Sequence, residues 1–101
     1  MTPDDVRRTV LELGDVTERD HHGFPSFRTG RRGRIFATLP TDDILRVMLD
    51  EGSIREAVAE WPWCREGWWA RSVATVEVVL ADAEPGVVEE LLADGRARAS
   101  A

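Results

Sequence analysis

Between Val16 and Leu49 the apolar residues recur at every second position, in short runs broken by Gly, Pro and Asp. A period of two belongs to extended chain, where successive side chains face opposite ways, so this stretch must build a sheet. Strands are predicted at Val16 to His21, Ser26 to Thr29, Arg34 to Leu39 and Ile44 to Leu49, with Gly30 to Gly33 and Pro40 to Asp43 as turns. Alternation puts Ile35, Ala37 and Leu39 on one face of the third strand, and Leu45, Val47 and Leu49 on one face of the fourth. These are the expected core faces.

The flanking segments read differently. Thr2, Pro3, Asp4 and Asp5 combine a hydroxyl N-cap, a proline where no N–H is needed, and carboxylates at the positive end of a helix dipole. A helix follows from Pro3 to Leu13, with Val6, Val10 and Leu13 on one side and an Asp4, Arg8, Glu12 ladder on the other, and Gly14 ends it. Ser53 and Glu56 form a capping box that opens a short helix carrying Ile54, Ala57 and Val58 to Trp61, where Pro62 stops it. A strand pair is expected at Gly67 to Arg71 and Val73 to Leu80, the second with Ala74, Val76, Val78 and Leu80 inward. The last helix starts near Pro85 and uses Val88, Leu91 and Leu92; Gly95 is expected to break it and leave Arg96 to Ala101 as a frayed tail.

That order describes an α+β fold: an antiparallel sheet of five or six strands with the N- and C-terminal helices packed together on one face. A chain of 101 residues is one domain, residues 1 to 101, large enough to bury a core without disulfides or a structural metal. Ile35, Val47, Val76 and Val78 are expected among its most buried residues. The longest apolar run, Val78 to Ala81, is far short of a membrane span, and the acidic start lacks the features of a signal peptide. With one cysteine, Cys64, the chain reads as cytoplasmic.

Several chemistries are excluded on residue grounds. His21 and His22 are adjacent, and neighbours on a strand point to opposite faces, so the pair is a poor start for a metal site. The acidic pairs Asp4/Asp5, Asp42/Asp43, Asp50/Glu51 and Glu89/Glu90 each have an ordinary place at a helix start, turn, strand end or solvated helix face. No serine sits in a nucleophile elbow, and no phosphate loop or dinucleotide fingerprint is present. The chain therefore reads as non-enzymatic, with no catalytic residue, metal or cofactor expected.

Two features point to binding. The net charge is −6, yet Arg28 to Arg34 holds four arginines and no acid, so this loop is strongly cationic on an acidic body. Arg28, Arg31, Arg32 and Arg34 on a two-stranded wing could lay guanidinium groups against DNA phosphates, or pair with the protein's own acids. The second feature is aromatic. Trp61, Trp63, Trp68 and Trp69 lie within nine residues, and alternation sends one of Trp68 and Trp69 into the core and the other outward. The outward one would share the helix-free face with Phe36, Met48, Val73 and Val79. An apolar face of that kind calls for cover: the chain's own last helix or Trp61 to Arg65 loop, a second copy or another protein, or a small molecule.

The stretch Gly23 to Leu39, GFPSFRTGRRGRIFATL, resembles the signature of the MmcQ/YjbR family, through Gly23, Pro25, Phe27, Phe36 and Ala37. Gly67, Trp68 and Trp69 with Val76 to Leu80 are similar to that family's glycine-tryptophan strand pair, and the acidic, leucine-bearing last helix also fits. The resemblance covers nearly the whole chain. It implies a frataxin-like (CyaY-like) sandwich, and it implies DNA binding through a wing-like β motif. Arg34 stands where the family tends to carry lysine, and the family's usual tyrosine after the short helix is absent. The DNA reading and the acidic body pull in opposite directions, so a protein or small-molecule binding module using Phe36, Met48, Trp68 and Trp69 stays beside it.

Overall fold

Thr2 sets the first helix, α1 (Pro3–Leu13), because its hydroxyl accepts from the Asp5 N–H while the Asp5 carboxylate accepts from the Thr2 N–H. Val6 and Val10 face inward and Gly14, at φ 76°, closes the helix. The charged side follows i,i+3 geometry instead of the expected ladder: Arg7 meets Asp4 and Arg8 meets Asp5. Arg7 also donates to Glu18 at 3.0 Å, tying the helix to the first strand. This computed structural model describes residues 1–30 and 33–101.

Among the described residues, six strands make one antiparallel sheet in the order β1-β2-β3-β4-β6-β5. They are β1 (Val16–His21), β2 (Phe24–Thr29), β3 (Ile35–Thr38), β4 (Ile44–Met48), β5 (Cys64–Trp69) and β6 (Ser72–Val79). Two further helices, α2 (Glu51–Glu60) and α3 (Pro85–Ser100), complete the fold. α1 packs against α3, α3 lies over β2, β3 and β4, and α2 covers β5 and β6. The α+β architecture read from the sequence is the architecture observed.

The core runs along one face of the sheet. Phe27, Ala37, Val47 and Val76 are linked by register from β2 to β6, and all four are buried. Leu45 pairs with Val78 and Val78 with Cys64, extending the same face. Ile54 and Ala57 of α2 and Val88, Leu91 and Leu92 of α3 close over it. Val47, Val76 and Val78 are fully buried, as the alternation requires.

Four local expectations are corrected. The pairing of β2 with β3 shifts between Phe27 and Arg28, so that Phe27 faces Ala37 and Arg28 faces Ile35. One extra residue, Phe36, therefore leaves the alternation. Phe36 is fully buried, while Ile35 is only half-buried, the reverse of the sequence reading. The second helix opens at Glu51, not at a Ser53–Glu56 box, because the Asp50 carboxylate accepts from the Ser53 N–H at 2.8 Å and from its hydroxyl at 2.9 Å.

β5 begins at Cys64, earlier than Gly67, where the Trp63 carbonyl accepts from the Val79 N–H and Cys64 pairs with Val78. Finally, α3 continues through Gly95 to Ser100. Gly95 is buried against Val47, and that contact outweighs a helix-interior cost of about 1 kcal/mol.

Candidate binding groove

Register defines the helix-free face as well. Ser26, Thr38, Arg46, Glu77 and Arg65 follow one another across β2, β3, β4, β6 and β5, and Met48, Thr75 and Gly67 form the neighbouring row. Arg46 Nε donates to Glu77 at 3.0 Å, so the centre of the polar row is internally paired. Gly67 forms the floor because a β carbon there would overlap the Thr75 hydroxyl.

A hollow of about 910 Å³ occupies this face. Its apolar lining comes from Phe24, Ile35, Met48, Val73, Trp68 and Trp69, and its polar lining includes Thr38, Thr75 and the Arg46–Glu77 pair. Asp50, Glu51 and Arg98 line it as well. Sequence alternation predicted that one of Trp68 and Trp69 would be buried. Both are exposed, at 59% and 78%, because the register shifts between Gly67 and Trp68 and the two indoles lie next to the β5–β6 turn. The expected covers lie elsewhere. α3 packs on the opposite face, and Trp61 and Trp63 stack on each other with ring centroids 5.4 Å apart.

A second hollow of about 390 Å³ adjoins the first and shares Ile35, Met48 and Arg98 with it. Three arginines line it: Arg28 from β2, Arg34 from the approach to β3, and Arg98 from the last turns of α3. Among the described residues, no acidic side chain does. Arg28 is half-buried, and its Nε is buried with no hydrogen-bond partner among the described residues. Neither Arg28 nor Arg34 forms an ion pair among the described residues. Asp50 is held below the usual carboxylate range, first by the Ser53 N–H, then by the Ser53 hydroxyl, with the Arg98 charge a smaller contribution.

Of the arginines singled out in the sequence, Arg28 and Arg34 thus come together, and Arg31 and Arg32 lie outside the described residues. Of the apolar set, Met48, Trp68 and Trp69 line the groove, whereas Phe36 belongs to the core and lines only the smaller hollow. Arg98 stands outside the sequence-derived set, because a glycine at position 95 reads as the end of the helix. The i, i+3 spacing of Leu92, Gly95 and Arg98 is the signal that continues that face.

The two histidines also differ from expectation. His22 takes φ 53° in the β1–β2 turn, and its ring meets that of His21 edge-to-face at 4.4 Å instead of pointing away. Among the described residues, no group of three or more His, Cys, Asp or Glu side chains gathers as a metal site, and no helix is long and apolar enough to cross a membrane. Cys64 is buried, and burial pushes its thiol up to about 11. Comparison of the chain with family models, curated proteins and solved structures finds no match.

Proposed function

We propose that this domain is a non-enzymatic binding module of the cytoplasm that seats an anionic ligand in the groove on the helix-free face. The observation that carries this reading is the meeting of Arg28 of β2, Arg34 ahead of β3 and Arg98 of α3 around a hollow that no acid lines among the described residues, on a chain of net charge −6. A guanidinium with a buried, unpaired N–H is costly to keep, by about 1 to 3 kcal/mol, and an incoming carboxylate or phosphate oxygen would pair it. The adjoining hollow falls within the range of about 300 to 1,000 Å³ common for ligand pockets. Calorimetric titration with inorganic phosphate and with benzoate tests the reading. Weak, salt-sensitive binding that is lost in the Arg34→Ala/Arg98→Ala double variant is expected. Absence of any anion binding at low salt overturns it.

A second reading, nucleic-acid binding on the β2–β3 wing, is favoured by the run Arg28 to Arg34, in which Arg31 and Arg32 stand in sequence between two arginines that line one hollow. The resemblance of Gly23 to Leu39 to the MmcQ/YjbR signature supports the same reading, and with it we propose membership of that family. Four phosphate contacts imply a slope of about −3.6 in log affinity against log salt, at about 0.9 per contact. Titration of labelled duplex at two salt concentrations, with and without Arg31→Ala/Arg32→Ala, decides it. Binding that ignores salt and both substitutions rules the wing out.

A further inference from the structure

Resting on the anion-binding reading above, we infer that the natural ligand is an amphiphile: a single carboxylate or phosphate head joined to an aromatic or acyl body. The head lies between Arg28, Arg34 and Arg98, and the body extends past Ile35 and Met48 toward Trp68 and Trp69. Continuity comes first. Ile35, Met48 and Arg98 line both hollows, so a ligand seated at the arginines runs directly into the aromatic trough.

Charge distribution then separates an amphiphile from a polyanion. Among the described residues no acid lines the smaller hollow, whereas the larger hollow, which shares only Arg98 of the three arginines, carries Asp50, Glu51 and Glu77. Its central arginine, Arg46, is already held by Glu77 at 3.0 Å. A chain with a phosphate every few ångströms would set later charges against those carboxylates. A molecule charged at one end avoids them and offers the trough what its lining can pair with, apolar surface. Each buried methylene of such a body contributes roughly 0.8 kcal/mol. The exposed indoles of Trp68 and Trp69 supply flat faces at the far end for an aromatic group or an acyl chain.

The test uses four probes on the whole chain, read by tryptophan fluorescence and calorimetry: 2-naphthyl phosphate, 2-naphthoate, uncharged 2-naphthylmethanol, and inorganic phosphate. At least one of the two charged naphthyl probes should bind about tenfold or more tighter than both inorganic phosphate and naphthylmethanol, and the stronger of the two identifies the head group. Arg34→Ala/Arg98→Ala should remove that advantage while the circular dichroism spectrum stays unchanged. Trp68→Ala/Trp69→Ala should weaken the naphthyl probes and leave inorganic phosphate unaffected. Inorganic phosphate binding as tightly as both charged naphthyl probes overturns the amphiphile and leaves the anion site standing. Naphthylmethanol binding as tightly as they do overturns the head assignment. No binding by any anion removes this inference and the reading beneath it together.

Discussion

Gly95 of α3 sits so close to Val47 of β4 that a β carbon at position 95 would come within 2.7 Å of Val47 Cγ1, with the Met48 and Phe36 carbonyls next nearest. Val47 is fully buried on a strand and cannot rotate away. The contact brings the end of α3 onto β3 and β4, and so delivers Arg98 to the same hollow as Arg28 and Arg34.

Gly95→Ala should therefore destabilise the protein although alanine is the better helix former. Overpacking costs about 1 to 3 kcal/mol against a propensity gain of about 1 kcal/mol. Urea denaturation should show a lower midpoint, partly restored when Val47→Ala is added to make room. A midpoint raised by Gly95→Ala alone would show that α3 is not held against Val47.

Phe36 and Trp69 should behave as opposites. Phe36 is fully buried, so Phe36→Ala should cost about 3 to 5 kcal/mol, a large part of the stability of a domain of this size. Trp69 is 78% exposed, and Trp69→Ala should change stability by no more than about 0.5 kcal/mol. Paired guanidinium melts of the two variants check this, and equal losses would contradict the register shift that buries Phe36.

Acid should loosen two helix starts. The Asp5 carboxyl is held down first by the Thr2 N–H, and that of Asp50 first by the Ser53 N–H. A carboxylate whose folded pKa lies below its unfolded value adds stability that is present above the unfolded value near 4 and is lost as pH falls through the folded one. The melting temperature should drop as pH is lowered below about 4. Asp50→Ala should lower it at pH 7 and flatten part of the acid dependence, as scanning calorimetry from pH 2 to 7 would show.

Cys64 should react slowly with Ellman's reagent at pH 8, because its thiol is pushed up to about 11 by burial and the thiolate is the reactive form. Full reactivity should appear only on addition of denaturant. The raised value also carries a sign: the folded state keeps a proton that the unfolded thiol releases above about 8.5, so this group's contribution to stability declines as pH rises from there. A rate at pH 8 equal to that of the denatured chain would place Cys64 at the surface.

The sequence by itself determined the element order, both ends of α1, and the inward positions Val47, Val76 and Val78, because a helix or strand period is a property of one segment. It determined as well that arginine would be concentrated around the β2–β3 turn. Tertiary structure decided the rest. Whether Ile35 or Phe36 turns inward depends on the register β3 takes against β2, and the exposure of both Trp68 and Trp69 depends on the register of β5 against β6. Gly95 looks like a helix stop until Val47 lies beneath it. The groove is the least local feature of all, since Arg98 lies outside the run that holds Arg28 and Arg34 and meets them only because α3 packs across β2 and β3. Sequence periodicity reports which way a side chain points along its own segment; which side chains from different segments converge is settled by packing.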